Sequence, residues 1–140
     1  MRPLPVAFTL AASALLAVAS MANATPAVFA TGEFFTPATY FMDLDNCQMT
    51  TSGDRADAWY QIDATGHRLL TPVRADVVLF GSGQPTYKQC KNAMVGGASW
   101  DMNQYLGKWF CAHTNKGRVN RFKVVKATDV KLTLKFTTWS

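Results

Sequence analysis

The sequence predicts an all-β domain, a small single-domain sandwich or partly closed barrel of about six to eight short antiparallel strands. Three observations point there. Near the end of the chain Val130, Leu132, Leu134 and Phe136 alternate with Lys131, Thr133, Lys135 and Thr137, and a period of two gives a strand one buried and one wet face. Just upstream, the β-rich runs 108–114 and 118–125 are joined by Asn115-Lys116-Gly117, a hairpin in which Gly117 takes the left-handed turn position. Beyond residue 24 no stretch holds a helical period for three turns, and residues 89–94 offer one short helical turn at most.

Residues 1–24 read as an export signal rather than as part of the fold. Arg2 is followed by an apolar run rich in Ala and Ser, and Ala22-Asn23-Ala24 supplies a small-residue cleavage pattern. A retained anchor is the competing reading. The run lacks the Leu and Ile that favour insertion, and no stop-transfer charges follow it. A secreted or periplasmic chain is therefore expected, in oxidising conditions and with no stable membrane insertion after cleavage.

Residues 25–39, with Pro26, Gly32 and Pro37, read as an irregular leader or edge segment, and residues 40–140 as the all-β domain. Residues 40–45 form a short strand closed by Asn46, and residues 50–54 a turn. The aromatic run 58–62 is a second strand, ended by Asp63-Ala64-Thr65-Gly66. Residues 68–70 and 75–80 follow on either side of Pro72, before the breaks at 81–85 and 95–99. The lysines of the last strand guard against edge pairing if that strand is terminal.

Composition bounds the function classes. The chain has 140 residues, 49% hydrophobic and 16% charged, which is globular and leaves no room for a catalytic domain plus a second module. Fourteen bases against nine acids give +5, and without Arg2 the balance is +4. Residues 25–86 carry seven acids and three bases, whereas residues 87–140 carry ten bases and two acids. The favoured reading is that the halves are neighbouring strands that neutralise each other across a sheet. The alternative is a basic face for an acidic partner.

Three cysteines are too few for a disulfide-dense scaffold or an all-cysteine zinc site. A Cys90–Cys111 disulfide is expected, with pairing of Cys47 to either one as the alternative. Otherwise Cys47 is buried, reactive or bridged to another chain, burial being the commonest fate.

No catalytic residue, cofactor or metal is expected. His67 and His113 have no partners at ligand spacing. Cys111 and His113 share a strand face, but Cys111 is the preferred disulfide partner. Asp43 and Asp45 also share a face, yet Cys47 interrupts the Ca²⁺-loop pattern, so they read as solvated or Arg-paired carboxylates. The better lead is aromatic, because flat rings on a β surface stack on sugars and anchor protein partners. Trp100, Asp101, Asn103 and Tyr105 form the most site-like cluster, with Trp59 as a second exposed ring. A third lead is the basic set Lys116, Arg118, Arg121, Lys123, Lys126, Lys131 and Lys135. Interleaved on strands, it suits a polyanion. Export makes nucleic acid a poor partner and leaves an anionic envelope polymer or an acidic protein.

The segment from Gly107 to Val119 and the strand ending at Trp139 also resemble a β-rich extracytoplasmic domain. It occurs in exported bacterial proteins and at the outer end of bacterial Ser/Thr kinase-like receptors. Its pattern is Gly-x-x-x-Cys-x-x-Thr-x-x-Gly-Arg followed by a Trp-terminated strand, with upstream Asp-x-Asp and Ala-Asp-x-Trp-like strands. Here these are Asp43 and Asp45, and Ala56-Asp57-Ala58-Trp59; Ala112-His113 replaces the usual Val-Arg before the Thr. The resemblance implies a β-rich extracytoplasmic domain and supplies no catalytic residues. Together these readings lead to an exported, non-enzymatic binding or interaction protein, possible ligands being a carbohydrate or an acidic partner; the alternative is a small secreted hydrolase using Asp43 and Asp45, or Cys111 with His113.

Overall fold

The computed structural model describes residues 24–140; all of the signal segment except Ala24 lies outside the described residues. The strands are β1 Val28–Pro37, β2 Phe41–Asp43, β3 Gln48–Thr50, β4 Ala58–Ile62, β5 Arg68–Pro72, β6 Asp76–Gly81, β7 Trp100–Asp101, β8 Trp109–His113, β9 Val119–Ala127 and β10 Lys131–Trp139. Among the described residues one α-helix, α1 (Tyr87–Lys91), lies between β6 and β7. The strands form two antiparallel five-stranded sheets, β1-β10-β9-β8-β6 and β3-β2-β4-β5-β7. These pack as a sandwich, with no closed barrel. The ten strands exceed the expected six to eight because β1, β3 and β7 escape a pattern search. β3 and β7 have three and two residues, too few to show a period.

Residues 28–37 are a regular edge strand, not an irregular leader. β1 pairs with β10 from Val28↔Trp139 to Pro37↔Lys131, with one register shift between Val28 and Ala30. Pro37 is tolerated because it ends an edge strand, where a missing N–H disturbs no ladder. The pairing continues past the strand, where the Ser140 amide and hydroxyl both donate to the Ala27 carbonyl at 3.0 Å.

The β10 alternation behaves as expected at Leu132 and Leu134, which are fully buried, while Val130 precedes the strand and is 74% exposed. At Thr137, Thr138 and Trp139 both faces are buried. β10 is an interior strand, so its lysines stand on an open sheet face rather than guard an edge. The β8–β9 hairpin forms as read, with Gly117 at φ 76° and the Thr114 amide donating to the Arg118 carbonyl at 2.9 Å. Between the sheets Phe110 and Phe122 stack at 5.1 Å, with Met42, Leu44, Tyr60, Leu70 and Met102 fully buried around them.

Outside the first sheet, α1 is pinned by the Cys90–Cys111 disulfide, with Cα atoms 5.0 Å apart. Thr86 caps the helix through a reciprocal capping box with Gln89. Beneath this cover Arg121 lies 4.9 Å from the Trp139 ring, and its Nη1 donates to the Pro85 carbonyl at 2.6 Å. Tyr87 packs edge-on against Trp139. By the chain-entropy argument a loop of this size stabilises by roughly 3 kcal/mol, a large share of the ~5–15 kcal/mol of a small domain. Cys47 is free and buried. Burial and nearby carboxylates push its thiol pKa well above the usual range, which leaves it protonated and unreactive.

Candidate functional site

The aromatic lead divides between two faces. Strand pairing places Tyr60, Leu70 and Trp100 in one cross-strand row, and Tyr60 and Leu70 point into the core. Trp59, next along β4, therefore points outward. There it stacks on Phe41 at 5.4 Å, and its Nε1 donates to the Thr39 carbonyl at 3.1 Å. Trp100 stands edge-on to Tyr105 and Phe110, 5.5 Å from each, and its Nε1 is buried with no hydrogen-bond partner.

Trp100, Asp101 and Tyr105 line a shallow depression of about 400 Å³ with His67, Ser99 and Gln104. Asn103 is turned to Arg68, accepting from its Nη1 at 2.7 Å. Asp101 Oδ1 accepts from the Asn103 amide at 3.1 Å and the Arg68 amide at 3.4 Å. The structure thus brings Trp100, Asp101 and Tyr105 together, employs Asn103 in a neighbouring contact, and places Trp59 on the other side of the sheet.

The charge of the second half of the chain is sorted by the fold. Arg118 pairs with Asp45 and lies 3.9 Å from the Phe29 ring, and Arg121 is enclosed under α1. Lys116 sits in the β8–β9 turn and lines a cleft with Asp43, Asn46, Arg55 and Asn115. The remaining four share the outer face of the first sheet. Lys135 stands directly opposite Lys123, and Lys126 opposite Thr133. Lys131 lies 4.9 Å from the Phe35 ring.

None of these four makes an ion pair among the described residues. Of the first-half acids only Glu33, opposite Lys135, and Asp76 lie in strands of this sheet. Neutralisation across one sheet, the favoured sequence reading, is therefore largely absent. Like charges placed directly opposite are destabilising, so the Lys123–Lys135 pair works against the sheet's own stability.

The acids instead gather at the β2–β3 turn. Asp57 is buried; its Oδ2 accepts from the Leu44 amide at 2.6 Å and its Oδ1 from the Asn115 amide at 2.7 Å. Burial pushes its carboxyl pKa up to about 6, the two backbone donors oppose that rise, and Asp45 and Asp43 add to it. Asp45 Oδ1 accepts from Thr114 Oγ1 at 2.7 Å and from Arg118 Nη1 at 3.3 Å. The Leu44 carbonyl accepts from Thr138 Oγ1 at 2.7 Å and Asn120 Nδ2 at 3.2 Å.

This network ties the β2–β3 turn to the β8–β9 turn and β10, and so clamps one sheet to the other at one end of the sandwich. Asp43, Asp45, Asp57, Thr114 and Arg118, scattered in the sequence, meet here. Asp57 was not among the site residues expected from sequence. Its signal was an acid set among the small residues Ala56 and Ala58 at the entry to an aromatic strand.

The catalytic candidates find other employment. Cys111 is bonded to Cys90 and offers no thiolate, and the His113 Nε2 bonds the Cys90 carbonyl at 2.9 Å. His67 pairs with Asp63 at 2.9 Å, which raises the imidazole pKa, while the Thr65 hydroxyl first and then the His67 amide and ring hold the Asp63 carboxyl low. No helix among the described residues is long and apolar enough to cross a membrane. Compared with known proteins, the chain matches no family model, no curated protein and no solved structure, and its resemblance to the extracytoplasmic domain rests on its own residues.

Proposed function

We propose that this chain is an exported, non-enzymatic binding domain that holds an anionic envelope polymer on the lysine-bearing outer face of its first sheet. The observation that carries the reading is the directly opposed, ion-pair-free Lys123 and Lys135, flanked by Lys126 and Lys131 on the same face. Glu33 faces Lys135 from β1 and offsets part of this repulsion, but it is the one acid against four lysines on β1, β9 and β10. A repeating phosphate or carboxylate chain lying along β9 and β10 removes the repulsion and meets several lysines at once. The Cys90–Cys111 disulfide fits an oxidising compartment, where such polymers occur. The hydrolase alternative has lost its thiolate, and Asp45 is enclosed by its own partners.

Retention on immobilised polyphosphate, compared at about 50 mM and 500 mM NaCl, tests this, since exposed charge contacts are screened within about 10 Å at 0.1 M salt. Retention is expected at low salt only, and Lys123→Glu with Lys135→Glu abolishes it. Salt-indifferent retention, or retention by the double variant, overturns the reading. A second reading, a neutral carbohydrate in the Trp100 depression, is favoured by the Trp100 and Tyr105 rings that line it together with Ser99, Asp101 and Gln104. Quenching of tryptophan fluorescence by a neutral oligosaccharide, lost in Tyr105→Ala, would support that reading over the first.

A further inference from the structure

The carboxylate group at the β2–β3 turn has features that clamping the sheets does not explain. Asp43, Asp45 and Asp57 each present one oxygen, and the three oxygens lie within 4.8 Å of one another. Asp45 is fully buried, and while its Oδ1 is engaged by Thr114 and Arg118, its Oδ2 is buried without any hydrogen-bond donor. Leaving a carboxylate oxygen buried and unsatisfied is costly. The guanidinium of Arg118 is the one cationic side chain paired with the three acids among the described residues. The group is not sealed. Asp43 is half-exposed and, with Asn46, Asp54, Asn115 and the cations Arg55 and Lys116, lines a cleft of about 550 Å³ that opens to solvent.

Oxygens on opposite sides of a Ca²⁺ ion, each at about 2.3–2.6 Å from it, stand about 4.6–5.2 Å apart. Three carboxylate oxygens within 4.8 Å of one another therefore have the spacing of ligands to a single ion of that size. We propose that Asp43, Asp45 and Asp57 hold a hard divalent cation of the Ca²⁺ class, with the unpartnered Oδ2 of Asp45 as its buried ligand and Asp43 at the mouth of the cleft. The ion gives Asp45 Oδ2 the partner it lacks. Water and the side-chain oxygens of the cleft complete the shell, because Ca²⁺ takes six to eight oxygens in flexible geometry. Mg²⁺ demands a tighter octahedron and gives up its waters reluctantly, so it binds more weakly here. The site is separate from the lysine face, and its test does not depend on any polymer being bound.

The full chain, stripped with chelator, is titrated with CaCl₂ and with MgCl₂ by calorimetry and melted in Ca²⁺ and in chelator. One Ca²⁺ per chain is expected, with a melting temperature about 5 °C higher in millimolar Ca²⁺ than in chelator and a smaller shift with Mg²⁺. Asp45→Asn removes both binding and shift. Should that buried substitution prevent folding, Asp43→Asn at the half-exposed mouth decides the matter, because it leaves the Asp45–Arg118 pair intact and weakens Ca²⁺ at least about tenfold. Absence of binding at millimolar Ca²⁺, or a shift that Asp43→Asn retains in full, overturns the proposal.

Discussion

The outer face of the first sheet has two halves that share β9 and β10, and they treat cations in opposite ways. In one half Arg121 is enclosed by the α1 cover, stacked against Trp139 and bonded to the Pro85 carbonyl, and that burial lowers its guanidinium pKa. In the other half Lys126 and Lys135 are exposed and Lys123 and Lys131 half-buried, and none of the four makes an ion pair among the described residues. The difference teaches that net charge is not one property of this chain. A planar guanidinium can be stacked and forked into a buried position, whereas a compact ammonium is strongly hydrated and is kept where water or a ligand can reach it.

The comparison breaks most visibly if the cover is released. Cys90→Ala with Cys111→Ala removes the tether and is expected to lower unfolding stability by about 3 kcal/mol, measured as the denaturant midpoint. Polyphosphate retention well below the melting temperature should persist, because the lysine half lies outside the cover. A loss of both together would mean that the two halves are one unit.

Paired single substitutions sharpen it further. Arg121→Ala strips a stacked, hydrogen-bonded charge and should cost about 2 kcal/mol, with little change in polyphosphate retention. Lys135→Ala should do the reverse: relief of its repulsion with Lys123 and loss of its attraction to the facing Glu33 nearly cancel, leaving stability within about 0.5 kcal/mol of the parent while retention weakens. Equal destabilisation by both variants would erase the distinction between buried and open cations.

The smallest effect belongs to the exposed Asp63–His67 pair, which calibrates what a surface charge contributes. Asp63 raises the His67 pKa above its ordinary 6.5. The stability the pair supplies is therefore complete below that value and lost as pH rises through the raised one. His67→Ala should flatten a shallow decline in melting temperature through this window, and exposed pairs of this kind contribute little. A steep decline would mark a coupling that the geometry does not show.

How much of this was legible in the sequence depended on whether the signal was local. The alternation around Leu132 and Leu134, the turn at Gly117 and the buried–exposed split of Tyr60 and Trp59 follow from a period of two along one strand. The disulfide was legible because its two cysteines flank a chain reversal. β1 was not, since its Pro and Gly signals were outweighed by pairing to a strand at the far end of the chain. The same holds for the site. Asp101 and Tyr105 are neighbours in sequence and in space, but the convergence of Asp45, Asp57, Thr114 and Arg118 is a product of topology. No spacing rule reaches from residue 45 to residue 118. The favoured reading of the charge asymmetry failed for the same reason, because strand order decides which charges meet.

The bond from Ser140 to Ala27 links residues 113 positions apart, and all of β1 depends on the same distant partner. β1 is an edge strand whose one ladder neighbour among the described residues is β10. Its register cannot form until nearly the whole sequence has been delivered, and closing so long a loop is slow relative to the hairpins between. During that interval Phe34 and Phe35 lack their β10 partners, so the waiting strand β1 is the segment most open to mispairing with another copy.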